Sequence, residues 1–224
     1  MLSRTVTALM LAVTGTVTAQ QGPGIGSVFV GCGYLIIEDY GKTNFSALLI
    51  GDSVKIVKKG ETVFFMGQTL LEVQAASAEQ IGSPSARGSE LLHRHLEWET
   101  AYISRQHGWP PLRPSTTPVA FGVPGVDGLL WWSPLPGPYK VMGADIVRMV
   151  YVTAAIDDVV FVISAPIRPH EEMAPALQKI QRVMKSLRRT TAPLDIGAVS
   201  AQIKAHPKRW DGCAQKDGRV PDGS

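Results

Sequence analysis

Cysteine is scarce: Cys32 and Cys213 are the only two in a chain of 224 residues. Two thiols exclude a disulfide-dense mini-scaffold and a four-cysteine zinc site. Charge of one sign is scarce too. The balance of 22 Lys and Arg against 19 Asp and Glu leaves +3, too little for a nucleic-acid binder that works by bulk charge. An electrostatic partner must therefore meet a local patch. After residue 19 no stretch approaches about 18 uninterrupted apolar residues, which excludes a transmembrane helix from the expectation. The hydrophobic share of 45% against 18% charged residues describes a globular chain with material for a full core.

Residues 1–19 read as an export signal. Arg4 supplies the positive start, residues 6–13 a short apolar run, and Val17-Thr18-Ala19 a small-residue cleavage site. The expected location is therefore secreted or periplasmic. In that oxidising space Cys32 and Cys213 are expected to form a disulfide, with two free thiols as the alternative.

The remainder, 20–224, reads as a single α+β domain: a mainly antiparallel sheet packed with two principal helices. Apolar segments 28–37, 45–50, 54–57, 62–66 and 70–75 alternate with turn residues such as Gly51-Asp52 and Gly67-Gln68, which predicts an antiparallel meander. Ser89 is placed to cap a helix over 89–107, closed by Gly108 and Pro110. Eight of the 16 prolines fall in 108–139, so this is expected to be an irregular insert with one short strand at 129–133. Strands are predicted at 146–154 and 159–165, then a helix over 171–188 with Pro175 in its first turns. The tail 192–224 reads as loop, apart from a weak helical piece at 196–205.

Residues 147–187, VRMVYVTAAIDDVVFVISAPIRPHEEMAPALQKIQRVMKSL, combine two β-branched strands with an amphipathic helix. This layout resembles the PsbP-like family of extrinsic photosystem II subunits and their bacterial relatives. The resemblance covers about a fifth of the chain and is one of pattern, without a specific motif. It implies a non-enzymatic accessory or binding domain and supplies no site residue.

Several motifs fail on their chemistry. Gly51-Asp52-Ser53 resembles the nucleophile block of GDS-type esterases. However, none of the five histidines has an aspartate three residues before it, as that family's general base requires. Gly41-Lys42-Thr43 lacks the earlier glycine of a phosphate loop, because Ile36 stands there. Asn44-Phe45-Ser46 fits a glycosylation acceptor in a eukaryotic host only. His93 and His95 lack the spacing of a helical zinc pair, so no metal site and no cofactor are expected.

Three features remain. On the first helix, Leu91, Leu92, Leu96, Trp98, Tyr102 and Ile103 make an apolar stripe, and His95, Glu99 and Gln106 fall in its middle. His95 and Glu99 are four apart and can touch. They form either a structural pair, with Arg148 as a further partner, or the floor of a pocket. On the second helix, Lys179, Arg182, Lys185 and Arg189 lie opposite the stripe Met173, Leu177, Ile180, Met184 and Leu187, with no acid from Met173 to Ala192. Such a face can bind an anionic partner or surface. Trp131 and Trp132 should point to opposite sides of a strand, leaving one indole for a cleft or both packed beneath the Pro-rich loop. The expectation is an exported, non-enzymatic binding or accessory domain. It would engage an unknown protein or anionic surface through the basic helix face, with no nucleic acid involved. The alternative is a small secreted hydrolase with a pocket near His95 and Glu99.

Overall fold

In the computed structural model, residues 24–29, 33–40, 42–50, 53–57, 62–190, 197, 201 and 205 are described. Residues 1–19, read above as an export signal, Cys32, Cys213 and nearly all of the tail lie outside these residues.

The fold is α+β, with antiparallel strands in two sheets. The small sheet has the order β1-β2-β3-β11, from β1 (Gly24–Phe29), β2 (Gly33–Tyr40), β3 (Thr43–Ile50) and β11 (Arg188–Thr190). The large sheet has the order β4-β5-β6-β10-β9-β8-β7. Its strands are β4 (Val54–Ile56), β5 (Val63–Met66), β6 (Thr69–Ser77), β7 (Ser115–Val119), β8 (Asp127–Val141), β9 (Ala144–Ile156) and β10 (Val159–Ile167). The predicted meander is thus split between two sheets, and the segment 28–37 spans parts of two strands.

The large sheet is covered on both faces. Helix α2 (Ala174–Lys185) and the small sheet cover one, where Phe45, Phe64, Phe161, Ile180 and Met184 share a core. Helix α1 (Gly88–His107) covers the other, where Leu91, Leu96, Leu129, Trp131 and Val162 share a second core. This double cover explains why β10 reads as an apolar run broken only by Ser164: residues 159–165 are all buried. No helix among the described residues is long and apolar enough to cross a membrane.

Helix α1 ends as expected on Gly108, whose left-handed φ of 64° lets its N–H reach Arg105 O and Ser104 O. Its start differs from expectation. Arg87 is the cap residue and makes no side-chain cap bond, so Ser89 lies inside the first turn. Gly88 adopts φ 53° there, and a Cβ on it would sit 2.5 Å from Asp127 Oδ2. An acid from β8 thus abuts the positive end of the helix, where a serine cap was expected.

The Pro-rich stretch is irregular only in part, at 109–114 and 120–126. It contains β7 and the 15-residue β8. Pro118 lies on β7, an edge strand, where a missing donor is tolerated. Pro134, Pro136 and Pro138 occupy alternate positions, so all three present their missing N–H to one edge of β8. Past Trp132, β8 has outrun β7 and keeps only β9 as a partner, and the pairing register shifts between Pro134 and Tyr139.

Helix α2 is shorter than predicted, ending at Lys185. Ser186 Oγ donates to Val183 O at 2.6 Å and accepts from Leu48 N at 2.7 Å, turning the chain onto β3 as β11. Arg189 thereby leaves the helix for a strand paired with Phe45.

Candidate functional site

Antiparallel register places Glu72, Ser164, Tyr151 and Trp131 side by side on β6, β10, β9 and β8. All four belong to the face that α1 covers, because side chains alternate along each strand. Trp131 is fully buried and stacks on Tyr151, with ring centroids 3.8 Å apart. Gln74 Nε2 donates to Glu72 Oε1 at 2.7 Å.

Helix α1 lays His95 and Glu99 over this row. His95 is 2% exposed, and burial pulls its imidazole down to about 4. Its Nδ1 has no hydrogen-bond partner among the described residues, and neither has Trp131 Nε1. Burial and the neighbouring Glu72 charge push the Glu99 carboxyl up to about 7. Burial also raises Glu72, against the opposing Gln74 hydrogen bond. Tyr151 is raised by burial and then by Glu99, Glu72 and Tyr139. Burial thus sets His95, Glu99, Glu72 and Tyr151 in a low-dielectric layer between α1 and the large sheet.

The expected contact between His95 and Glu99 is not made; the His95 ring lies instead 6.0 Å from that of Trp98. Arg148 does not serve them either. Strand alternation puts it on the other face, 4.6 Å above the ring of Trp132. The two tryptophans do point oppositely: Trp131 is buried under α1, and Trp132 is half-buried toward the α2 side.

Beyond the end of α1, a pocket of about 220 Å³ opens between the β5–β6 and β8–β9 hairpins. Phe65, Leu70, Met142, Ile146 and Pro166 line it, with Arg168 among its polar residues. Met142 and Gly143 make the β8–β9 turn with φ 49° and 81°, the primed geometry of a two-residue hairpin. A methionine is strained there, and Met142 is 57% exposed. The Arg168 backbone N–H donates to Glu171 Oε2, whereas its guanidinium has no ion-pair partner among the described residues.

The four cations expected to share a helix face are dispersed. Lys179 Nζ donates to Thr69 Oγ1 at 2.6 Å, against the β5–β6 hairpin. Arg182 and Lys185 are exposed on α2. Arg189, on β11, pairs with Asp157 at 2.6 Å. His93 is exposed on α1 with Nδ1 2.7 Å from Ser89 O. Among the described residues no group of three His, Cys, Asp or Glu side chains could hold a metal ion.

Glu72, Tyr139, Tyr151, Met142 and Arg168 were not anticipated. Glu72 and Gln74 alternate with Leu71, Val73 and Ala75, a pattern that ordinarily marks a solvent face. Only the position of α1 converts that face into an interior one.

No family model and no curated protein matches the chain. The chain is similar to a crystal structure from Bacteroides thetaiotaomicron VPI-5482 with 11% identity and a TM-score of 0.36, over 72% of this chain and 53% of that one. The chain spans about half the length of that protein.

Proposed function

We propose that the chain is an exported, non-enzymatic binding domain that takes a small amphiphilic anion in the pocket between the β5–β6 and β8–β9 hairpins. One observation carries this reading. The pocket combines apolar walls from Phe65, Leu70, Met142 and Pro166 with Arg168, whose guanidinium has no ion pair among the described residues. Glu171 also lines the pocket, where its Oε2 accepts from the Arg168 backbone N–H; apolar walls with a few converging polar groups are the usual composition of a small-molecule site. The anionic partner expected from the basic helix thus finds its cation in the pocket, where a guanidinium can grip a carboxylate or sulfonate at two points.

The anionic dye 1-anilinonaphthalene-8-sulfonate tests this reading. It should bind the folded chain with enhanced fluorescence, and Arg168→Glu should weaken binding at least tenfold without altering the melt. Equal binding by Arg168→Glu and wild type would refute the pocket. Equal loss on Arg182→Glu with Lys185→Glu would return the anion site to the helix.

Export and the Cys32–Cys213 bond belong to the same proposal and rest on the pattern of residues 1–19. Thiol titration of the denatured, unreduced mature protein should then find no free thiol. The loop-entropy model gives such a long-range bond on the order of 4 kcal/mol. A hydrolase centred on His95 and Glu99 has one observation in its favour, the Glu99 carboxyl raised to about 7. Turnover of chromogenic esters that is lost in His95→Ala would favour it over the binding domain.

A further inference from the structure

We propose that the ligand of the pocket between the β5–β6 and β8–β9 hairpins is a free α-amino acid with an apolar side chain, held as its zwitterion. Arg168 takes the carboxylate and Glu171 the ammonium group. The inference rests on the pocket reading above and adds to it a second charged partner.

Arg168 and Glu171 both line the cavity, three residues apart on the segment that follows β10. Two hydrogen bonds fix this turn. The Arg168 backbone N–H donates to Glu171 Oε2 at 3.0 Å, and the Glu171 backbone N–H donates to Arg168 O at 3.2 Å. The guanidinium and the carboxylate nevertheless form no ion pair with each other, nor with any other charged side chain among the described residues. Glu171 Oε1 also has no partner among them. Two opposite charges therefore line one cavity without neutralising each other. A ligand carrying both signs satisfies both groups, whereas a ligand of one sign is repelled by one of them.

The origin of the lining residues sets where those signs lie on the ligand. Both charged residues come from one short segment. Phe65, Leu70, Val141, Met142 and Ile146 come from the two hairpins. The ligand therefore keeps its two charges together at one end and presents an apolar body to the hairpins. An apolar α-amino acid has this form, with a single carbon between ammonium and carboxylate. A peptide terminus does not, because it carries one of the two charges and not the other. The cavity volume of about 220 Å³ lies below the roughly 300–1,000 Å³ of drug-sized sites, which keeps the ligand small.

The chemistry of each contact is ordinary. A guanidinium meets a carboxylate through two parallel N–H donors. A carboxylate accepts from an ammonium group, and Glu171 has an oxygen left over for this after serving the Arg168 N–H. Both side chains are exposed, so either contact alone is weak and selectivity comes from making the two together.

Calorimetric titration of the full chain at pH 7 tests the assignment with four probes. They are L-leucine, 4-methylpentanoate without the ammonium group, 3-methylbutylammonium without the carboxylate, and 6-aminohexanoate with its charges at opposite ends. Leucine should bind saturably, displace the anionic dye from the pocket, and bind at least fivefold tighter than each of the other three. Glu171→Gln retains an acceptor for the Arg168 N–H, so the turn should persist. It should bring leucine down to the level of 4-methylpentanoate while dye binding holds. Dye that binds through Arg168 but is not displaced by leucine would overturn the amino-acid assignment and leave the anion pocket standing. So would 4-methylpentanoate or 6-aminohexanoate binding as tightly as leucine, or a leucine preference that survives Glu171→Gln. Loss of neither dye nor leucine binding in Arg168→Glu would overturn both readings together.

Discussion

Trp131 lies flat against Tyr151, with ring centroids 3.8 Å apart and planes only 5° from parallel. The two are direct cross-strand neighbours on β8 and β9, and both are buried beneath α1. Their stacking is a packing interaction, because the indole N–H finds no acceptor among the described residues. Trp131→Phe should then stay within about 1 kcal/mol of wild type, since it keeps a ring on Tyr151 and removes an unsatisfied donor. Trp131→Ala should cost about 3–5 kcal/mol by emptying the site. Urea unfolding compares the two. A Phe variant as damaged as Ala would mean that the N–H has a partner.

His95 and Glu99 give opposed pH effects. The His95 imidazole is lowered from 6.5 to about 4, so its contribution is complete above pH 6.5 and fades as pH falls toward 4. The Glu99 carboxyl is raised from 4.5 to about 7, so its contribution is complete below pH 4.5 and fades as pH rises toward 7. In wild type the two slopes largely offset each other between pH 4.5 and 6.5. Glu99→Gln should expose a melting temperature that climbs with pH across this window. His95→Phe should expose one that falls. Each slope amounts to at most about 3 kcal/mol. Parallel profiles for wild type and both variants would contradict this account.

Met142 holds a φ of 49° at the tip of the β8–β9 hairpin, where Asn or Gly is at ease. Met142→Asn should raise stability by roughly 0.5–1 kcal/mol, because the strained position is relieved. The same change strips a wall from the pocket and should weaken dye binding. A variant that is less stable, or that binds as well, would separate the turn from the site.

Ser186 and Arg189 both fasten β11 to the body of the fold, with different strength. Ser186→Ala leaves Leu48 N buried without its acceptor and should cost about 1–3 kcal/mol. Arg189→Ala removes an exposed pair with Asp157 and should cost less than about 1 kcal/mol. Chemical denaturation of the two variants ranks them, and the reverse order would reassign the anchoring role.

The sequence was most legible where one physical signal dominated. Runs rich in β-branched and apolar residues marked β9 and β10, since both faces of the large sheet are covered. Gly108 marked the end of α1 because only a left-handed residue closes that turn. The proline count in 108–139 misled, since what matters is position: alternate prolines can share one free edge. Arg189 was misplaced because helical spacing continues past Lys185, while a serine clasp 138 residues away in sequence ends the helix. His95 and Glu99 were visible from the α1 stripe. Glu72 was not, because a polar residue on an alternating strand looks solvated until a helix from elsewhere covers it.

The clasp of Ser186 on Leu48 also orders events in time. The first three strands of the small sheet leave the ribosome early, whereas the strand that completes it is among the last described segments to appear. Until residue 190 emerges, β3 keeps one row of hydrogen-bonding groups open. The nascent chain therefore carries an unfinished sheet edge through most of its synthesis, a surface suited to holding by a chaperone until the last strand arrives.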